Sequence, residues 1–138
     1  MHIDGGCHCG NITYEAEADP DKAGMCHCTD CQTLSGAPFN AVIPVPETDF
    51  TLKSGTLKMY VKTAESGNKR AQMFCPDCGT RIYATSVDDP PDGGSKIFGI
   101  RLGTVSQRAE LPPKRQIWHR SALPWVNDLA SIPVVETQ

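Results

Sequence analysis

The chain has no apolar run long enough to cross a membrane, no surplus of basic residues and few aromatic ones, and each shortage removes a class of function. No stretch approaches the roughly 18 consecutive apolar residues of a spanning helix, so no membrane partner is expected. The opening Met1-His2-Ile3-Asp4-Gly5-Gly6 has neither the basic region nor the apolar core of a secretory signal, and the expected location is cytoplasmic. Lys and Arg number 13 against 16 Asp and Glu, a formal charge of −3, and Lys69-Arg70 and Lys114-Arg115 are the only adjacent basic pairs. Such a chain has no field to gather phosphate backbones, so nucleic acid is not expected as a partner. Hydrophobic residues make up only 39% and aromatics 7%, while Gly 12 and Pro 11 are plentiful, a balance that suits short strands and turns rather than long helices. At 138 residues this is the size of one domain. No internal repeat is present, and nothing in the sequence sets the oligomeric state.

What the chain does have is cysteine. Seven thiols in a reducing compartment point to metal rather than to disulfides, and pairing an odd number would strand one. They come in three groups. Cys26-His27-Cys28-Thr29-Asp30-Cys31 places three thiols within six residues. Gly6-Cys7-His8-Cys9-Gly10 projects Cys7 and Cys9 to one face of an extended segment, with glycines allowing close backbone approach. Phe74-Cys75-Pro76-Asp77-Cys78-Gly79 has the C-P-x-C-G form of a zinc knuckle, whose turn aims two sulfurs at one point. The simplest partition sends the two distant pairs, Cys7/Cys9 and Cys75/Cys78, to one closed four-sulfur zinc site, and leaves Cys26, Cys28 and Cys31 as a three-ligand site. The closed site clips the N-terminal strand to a point beyond mid-chain, and metal binding of that kind counts as folding free energy.

Around these groups, residues 11–17 alternate like a half-buried strand, and 39–45 suit another, with Pro44 and Pro46 placing it at a sheet edge or ending it. Residues 50–52 and 57–62, either side of Ser54-Gly55, read as a hairpin whose Leu57, Met59 and Val61 face inward. Residues 69–74, 80–84, 96–102 and 115–119 give further strands. Residues 32–35 have room for one helical turn before Gly36 and Pro38, which sets Cys31 near a helix start. Residues 86–95 form a loop, read as a connection, and the core is expected over about residues 2–126 with a frayed tail after it.

Three thiolates on one zinc make an electron-rich ion, a weaker Lewis acid than zinc on three imidazoles, so splitting water is a poor fit. An incoming thiol fits better, because soft sulfur suits zinc and coordination removes its proton near neutral pH. A zinc deaminase needs Glu two residues after a ligand His, and none of His2, His8, His27 or His119 has one. His27 is open to three roles, a fourth ligand, a proton carrier or a bystander; Asp30 either orients a ligand or caps the following turn.

The three cysteine motifs, with Ser35-Gly36-Ala37-Pro38-Phe39 after the second, Thr80 after the third, and Ile117-Trp118-His119 and Leu123-Pro124-Trp125 near the end, resemble the glutathione-dependent formaldehyde-activating enzyme family, whose domain is shared with centromere protein V. The resemblance runs over about residues 2–126. It implies a mainly β fold, a β-tent of short antiparallel sheets with little helix, stapled by a structural zinc at Cys7, Cys9, Cys75 and Cys78. A second, catalytic zinc would sit at Cys26, Cys28 and Cys31. The implied activity is that of a carbon-sulfur lyase similar to S-(hydroxymethyl)glutathione synthase, joining glutathione to formaldehyde. Phe39 would help to shape the pocket, and basic side chains that the sequence does not single out would hold the tripeptide's carboxylates. The alternative is a zinc-stapled binding module in which both ions are structural. A fourth protein ligand beside Cys28 favours the module, and an exchangeable position favours the enzyme.

Overall fold

Alternation along Thr13-Tyr14-Glu15-Ala16-Glu17 buries Tyr14 and Ala16 and leaves Thr13 and Glu17 in water, the pattern of a strand with one wet face. In the computed structural model, which describes residues 1–138, this strand, β2 (Thr13–Glu17), is the centre of a small antiparallel sheet. β1 (His2–Gly6) and β5 (Phe50–Ser54) flank it. The second sheet has seven strands: β3 (Gly24–Cys26), β4 (Asn40–Pro46), β6 (Lys58–Thr63), β7 (Lys69–Phe74), β8 (Arg81–Ser86), β9 (Ile97–Arg101) and β10 (Arg115–Ile117). Their order is β10-β3-β4-β9-β8-β7-β6, antiparallel throughout except that β10 runs parallel to β3. The one α-helix, α1 (Thr29–Ser35), ends at Gly36 in the left-handed conformation at φ 64°, and short 3₁₀ turns make the remaining helical pieces. The fold is mainly β, in two sheets. No helix is long and apolar enough to cross a membrane.

The core lies where the sheets face each other. Ile3 of β1, Ile12 just before β2, Ile43 of β4, Ile82 of β8 and Ile100 of β9 are each no more than 1% exposed. Each such side chain contributes about 1.5–3 kcal/mol through burial. Phe50 from the small sheet packs against Tyr14, Tyr83 and Phe98, with centroids 5.3, 5.2 and 5.4 Å away, and so stitches the two sheets together. Cys75 belongs to this core at 0% exposure and Cys7 packs against it, so one cysteine cluster is rooted in the hydrophobic interior.

One reading of the sequence needs correction. Residues 50–52 and 57–62 do not form a hairpin: β5 pairs with β2 in the small sheet, while β6 pairs with β7 in the large one. The chain changes sheets at Gly55, which has φ 82° and lies against the Asn11 carbonyl and Ile12, so a Cβ there would clash. Consequently β6 is an outer strand, and Met59 and Val61 are exposed instead of inward; only Leu57 packs on the core. Pro44 and Pro46 lie at the end of β4, which stops at Pro46 as expected, although the strand is an inner one. β3 pairs only with Asn40 to Val42, so the proline half of β4 has β9 as its one neighbour, and the missing N–H groups break no second ladder.

Candidate functional site

Four sulfurs meet at the end of β1. After Gly6, the Cys7 N–H donates to the Ile12 carbonyl at 3.0 Å, Gly10 turns the chain at φ 86°, and the Ile12 N–H donates back to Cys7 Sγ at 3.2 Å. Gly6 is required by space, because a Cβ would meet the Ile12 carbonyl oxygen; Gly10 is required by its backbone angle, with nothing near it. From the far side comes the knuckle: the Gly79 N–H donates to the Cys75 carbonyl at 2.9 Å and the Cys75 N–H to the Thr80 carbonyl at 2.9 Å. Asn11 Nδ2 donates to Asp77 at 2.8 Å and the His8 N–H to Thr80 Oγ1 at 3.2 Å, which ties the two turns together.

The sulfurs of Cys7, Cys9, Cys75 and Cys78 all lie within 4.8 Å of one another. Cys7 and Cys9 are 3.5 Å apart and Cys9 and Cys75 3.8 Å. A tetrahedron of sulfurs about 2.3 Å from a zinc ion has edges of about 3.8 Å, so this cluster has the dimensions of a four-thiolate site. Four thiols this close cannot all ionise without a cation, and their acidities split accordingly. The Thr80 hydroxyl, 3.2 Å from Cys78 Sγ, and the Thr80 N–H pull the Cys78 thiol down to about 5. Cys9 accepts from the Asn11 backbone, yet Cys7, burial and the other two cysteines push it up to about 12.

The second group is built where β3 runs into α1. Cys26 closes β3, Cys28 caps the helix, and its Sγ accepts the Cys31 N–H at 3.3 Å. The sulfurs of Cys26, Cys28 and Cys31 lie within 4.8 Å of one another, and no other Cys, His, Asp or Glu joins them at that range. Asn40 of β4 presents its amide Nδ2 to Cys31 Sγ at 3.9 Å. A hydrogen bond between Cys31 and Cys26 lowers the Cys26 thiol and raises that of Cys31, with burial adding to the rise. The donor set is soft and compact, which suits zinc.

His27 points the other way. It is fully buried, its N–H donates to the Ile117 carbonyl at 3.1 Å, and its ring contacts Phe39 and His119. Nε2 donates to Gln116 Oε1 at 2.7 Å, while Nδ1 is buried with no partner. Of the three roles left open for it, the packing gives that of a core residue which locks the loop between β3 and α1 onto β10. Gln32 assists by donating to the His27 carbonyl at 2.8 Å and to that of Ser121 at 3.0 Å. Asp30 neither orients a ligand nor caps the turn: it pairs with Lys62 at 2.8 Å on the outside of the helix.

A cavity of about 450 Å³ opens between the two cysteine groups. Phe39 and Asn40 line it on the three-cysteine side, Gly79 and Thr80 on the knuckle side, and Arg81 and Arg101 form its cationic wall. Phe39 was legible from the sequence as a pocket residue; Asn40, Arg81 and Arg101 were not, since each reads there as one more polar residue in a strand. The available signal is Arg81 opening the otherwise inward-facing run Ile82-Tyr83-Ala84-Thr85.

Residues 2–121 match a family model described as glutathione-dependent formaldehyde-activating enzyme. Among solved structures, the crystal structure of a Rhodobacter sphaeroides protein aligns with a TM-score of 0.60 at 18% identity, covering 82% of this chain and 98% of that one. At that identity the likeness extends to the fold.

Proposed function

The chain belongs to the glutathione-dependent formaldehyde-activating enzyme family, and on that premise we propose that it is a carbon-sulfur lyase activating a thiol, glutathione first among candidates, for addition to or release from a small electrophile such as formaldehyde. The observation that carries the reading is the contrast between the clusters: four cysteines gather in one, and in the other Cys26, Cys28 and Cys31 gather with no further ligand of the chain. Four protein ligands close a zinc site, and three leave a position for an incoming group. In this scheme Cys7, Cys9, Cys75 and Cys78 hold a structural zinc and Cys26, Cys28 and Cys31 a catalytic one. Zinc held by three thiolates supplies a soft Lewis acid that lowers the pKa of an entering thiol while leaving its sulfur nucleophilic.

The protein's own part is positioning. The Cys31 N–H holds Cys28 Sγ and the Asn40 amide meets Cys31 Sγ, so two of the three ligands are oriented by donors of the chain. His27, Gln116 and Gln32 fix the backbone between the ligands. The cavity beside Asn40 gives the electrophile a walled approach, with Phe39 shielding one side from water. Attack then joins the thiol sulfur to the carbonyl carbon, and the carbonyl oxygen becomes a hydroxyl by taking up a proton.

Calorimetry of glutathione on the metal-loaded protein and on Cys31→Ser tests the scheme. Heat of binding in the former, with weaker binding in the latter, is the expected result. Equal binding by both, or by neither, would contradict glutathione's role as ligand of this cluster.

A further inference from the structure

Five of the 13 lysines and arginines of this protein are paired. Lys22, Lys53, Lys62, Lys96 and Arg120 each have a carboxylate within 4 Å. The partly buried Arg70, Arg81 and Arg101 have none, and of these only Arg81 and Arg101 line the cavity. Arg101 Nη2 donates to Gln72 Oε1 at 2.8 Å, a neutral partner. Arg81 lies 5.7 Å from the Phe74 ring and keeps Nη1 buried without any acceptor. Withdrawing guanidinium groups from water without an anion is unfavourable, more so for two that repel each other. Burial lowers the Arg101 pKa and the Arg81 charge lowers it further, and the nearby negative influences that oppose this are Cys31 and Cys26. The two arginines sit on adjacent strands, β8 and β9, and line the same cavity. About 450 Å³ is far more than formaldehyde fills, and it falls in the range of sites for larger ligands.

We propose that Arg81 and Arg101 form a carboxylate subsite in the cavity between the two cysteine clusters, holding an acid that bears either the reacting thiol or the reacting aldehyde. The inference rests on the reading that sulfur attacks at Cys26, Cys28 and Cys31, and it names the substrate class: an anionic one. The planar fork of Arg81, with a donor to spare, matches a carboxylate in a two-point contact. Asn40 lines the same cavity and meets Cys31 Sγ at 3.9 Å, so the cavity that the arginines wall also reaches a side chain in contact with the sulfur trio.

The test is calorimetry on the full-length, metal-loaded protein with four probes: glutathione, S-methylglutathione, the dimethyl ester of S-methylglutathione, and glyoxylate. S-methylglutathione, glyoxylate or both should bind, Arg81→Met should weaken that binding at least tenfold, and Arg81→Lys should recover part of it. The dimethyl ester should not bind, a ligand-side control that decides the matter even where Arg81→Met fails to fold. Binding of S-methylglutathione alone assigns the carboxylate to the thiol, and of glyoxylate alone to the electrophile. Failure of both to bind, or binding indifferent to esterification and to Arg81→Met, overturns the subsite. Failure of the thiol-activation reading looks different: glutathione would bind no more tightly than its S-methyl form while both still need Arg81.

Discussion

Thr80 shows how much one hydroxyl can set. It stands 3.2 Å from Cys78 Sγ and is the largest influence holding that thiol down to about 5. A thiol with a depressed pKa stays ionised as the pH falls, so protons displace a metal from it only at lower pH. Thr80→Val removes the hydroxyl and raises the thiol pKa; zinc release on acidification, followed with a colorimetric chelator, should therefore begin at a higher pH than in the wild type. At the second cluster Cys31→Ser should leave the fold intact and reduce zinc from two ions per chain to one, read by native mass spectrometry. Cysteine spacing made both clusters legible as candidates in the sequence. The roles of His27 and Asp30 were not legible, because they depend on partners far along the chain, Gln116 at β10 and Lys62 on β6.

At the scale of elements, local chemistry was read well and pairing less so. Residues 69–74 appear as β7 with those bounds, and Gly36 ends α1 as its left-handed angle requires. The hairpin placed around Ser54-Gly55 failed because its turn residues are equally suited to a crossing between sheets, and only the Asn11 carbonyl packed on Gly55 distinguishes the two. The prolines of β4 do close their strand at Pro46, but that an inner strand tolerates them depends on where β3 stops, which no local pattern records. Glycine positions carry a prediction here. Gly6→Ala would drive a Cβ into the Ile12 carbonyl at the entry to the four-sulfur turn, and overpacking of this kind costs about 1–3 kcal/mol. The melting temperature should fall, with zinc affinity weakened at the same cluster.

For the whole molecule the two clusters differ in what they hold together. Cys75 lies in the hydrophobic core and its cluster joins β1 to the turn between β7 and β8, residues 66 apart for Cys9 and Cys75. Closing so long a loop removes many unfolded conformations. Cys75→Ser or removal of metal should abolish cooperative thermal unfolding, whereas Cys31→Ser should shift the melting temperature only slightly; equal losses would mean that both clusters are structural. The family resemblance and the mainly β architecture were available from the cysteine motifs and the Gly and Pro content, while the cavity between the clusters arises only when β4, β8 and β9 come together.

The central claim is that Cys26, Cys28 and Cys31 leave one position on their metal for an outside sulfur. Zinc X-ray absorption on the fully loaded protein, recorded with and without glutathione, measures this directly. The account predicts that glutathione raises the number of sulfur neighbours per zinc and removes a light-atom contribution, and that Cys31→Ser abolishes the change. A spectrum identical in both conditions, with a nitrogen or oxygen of the chain completing the second site, would contradict it.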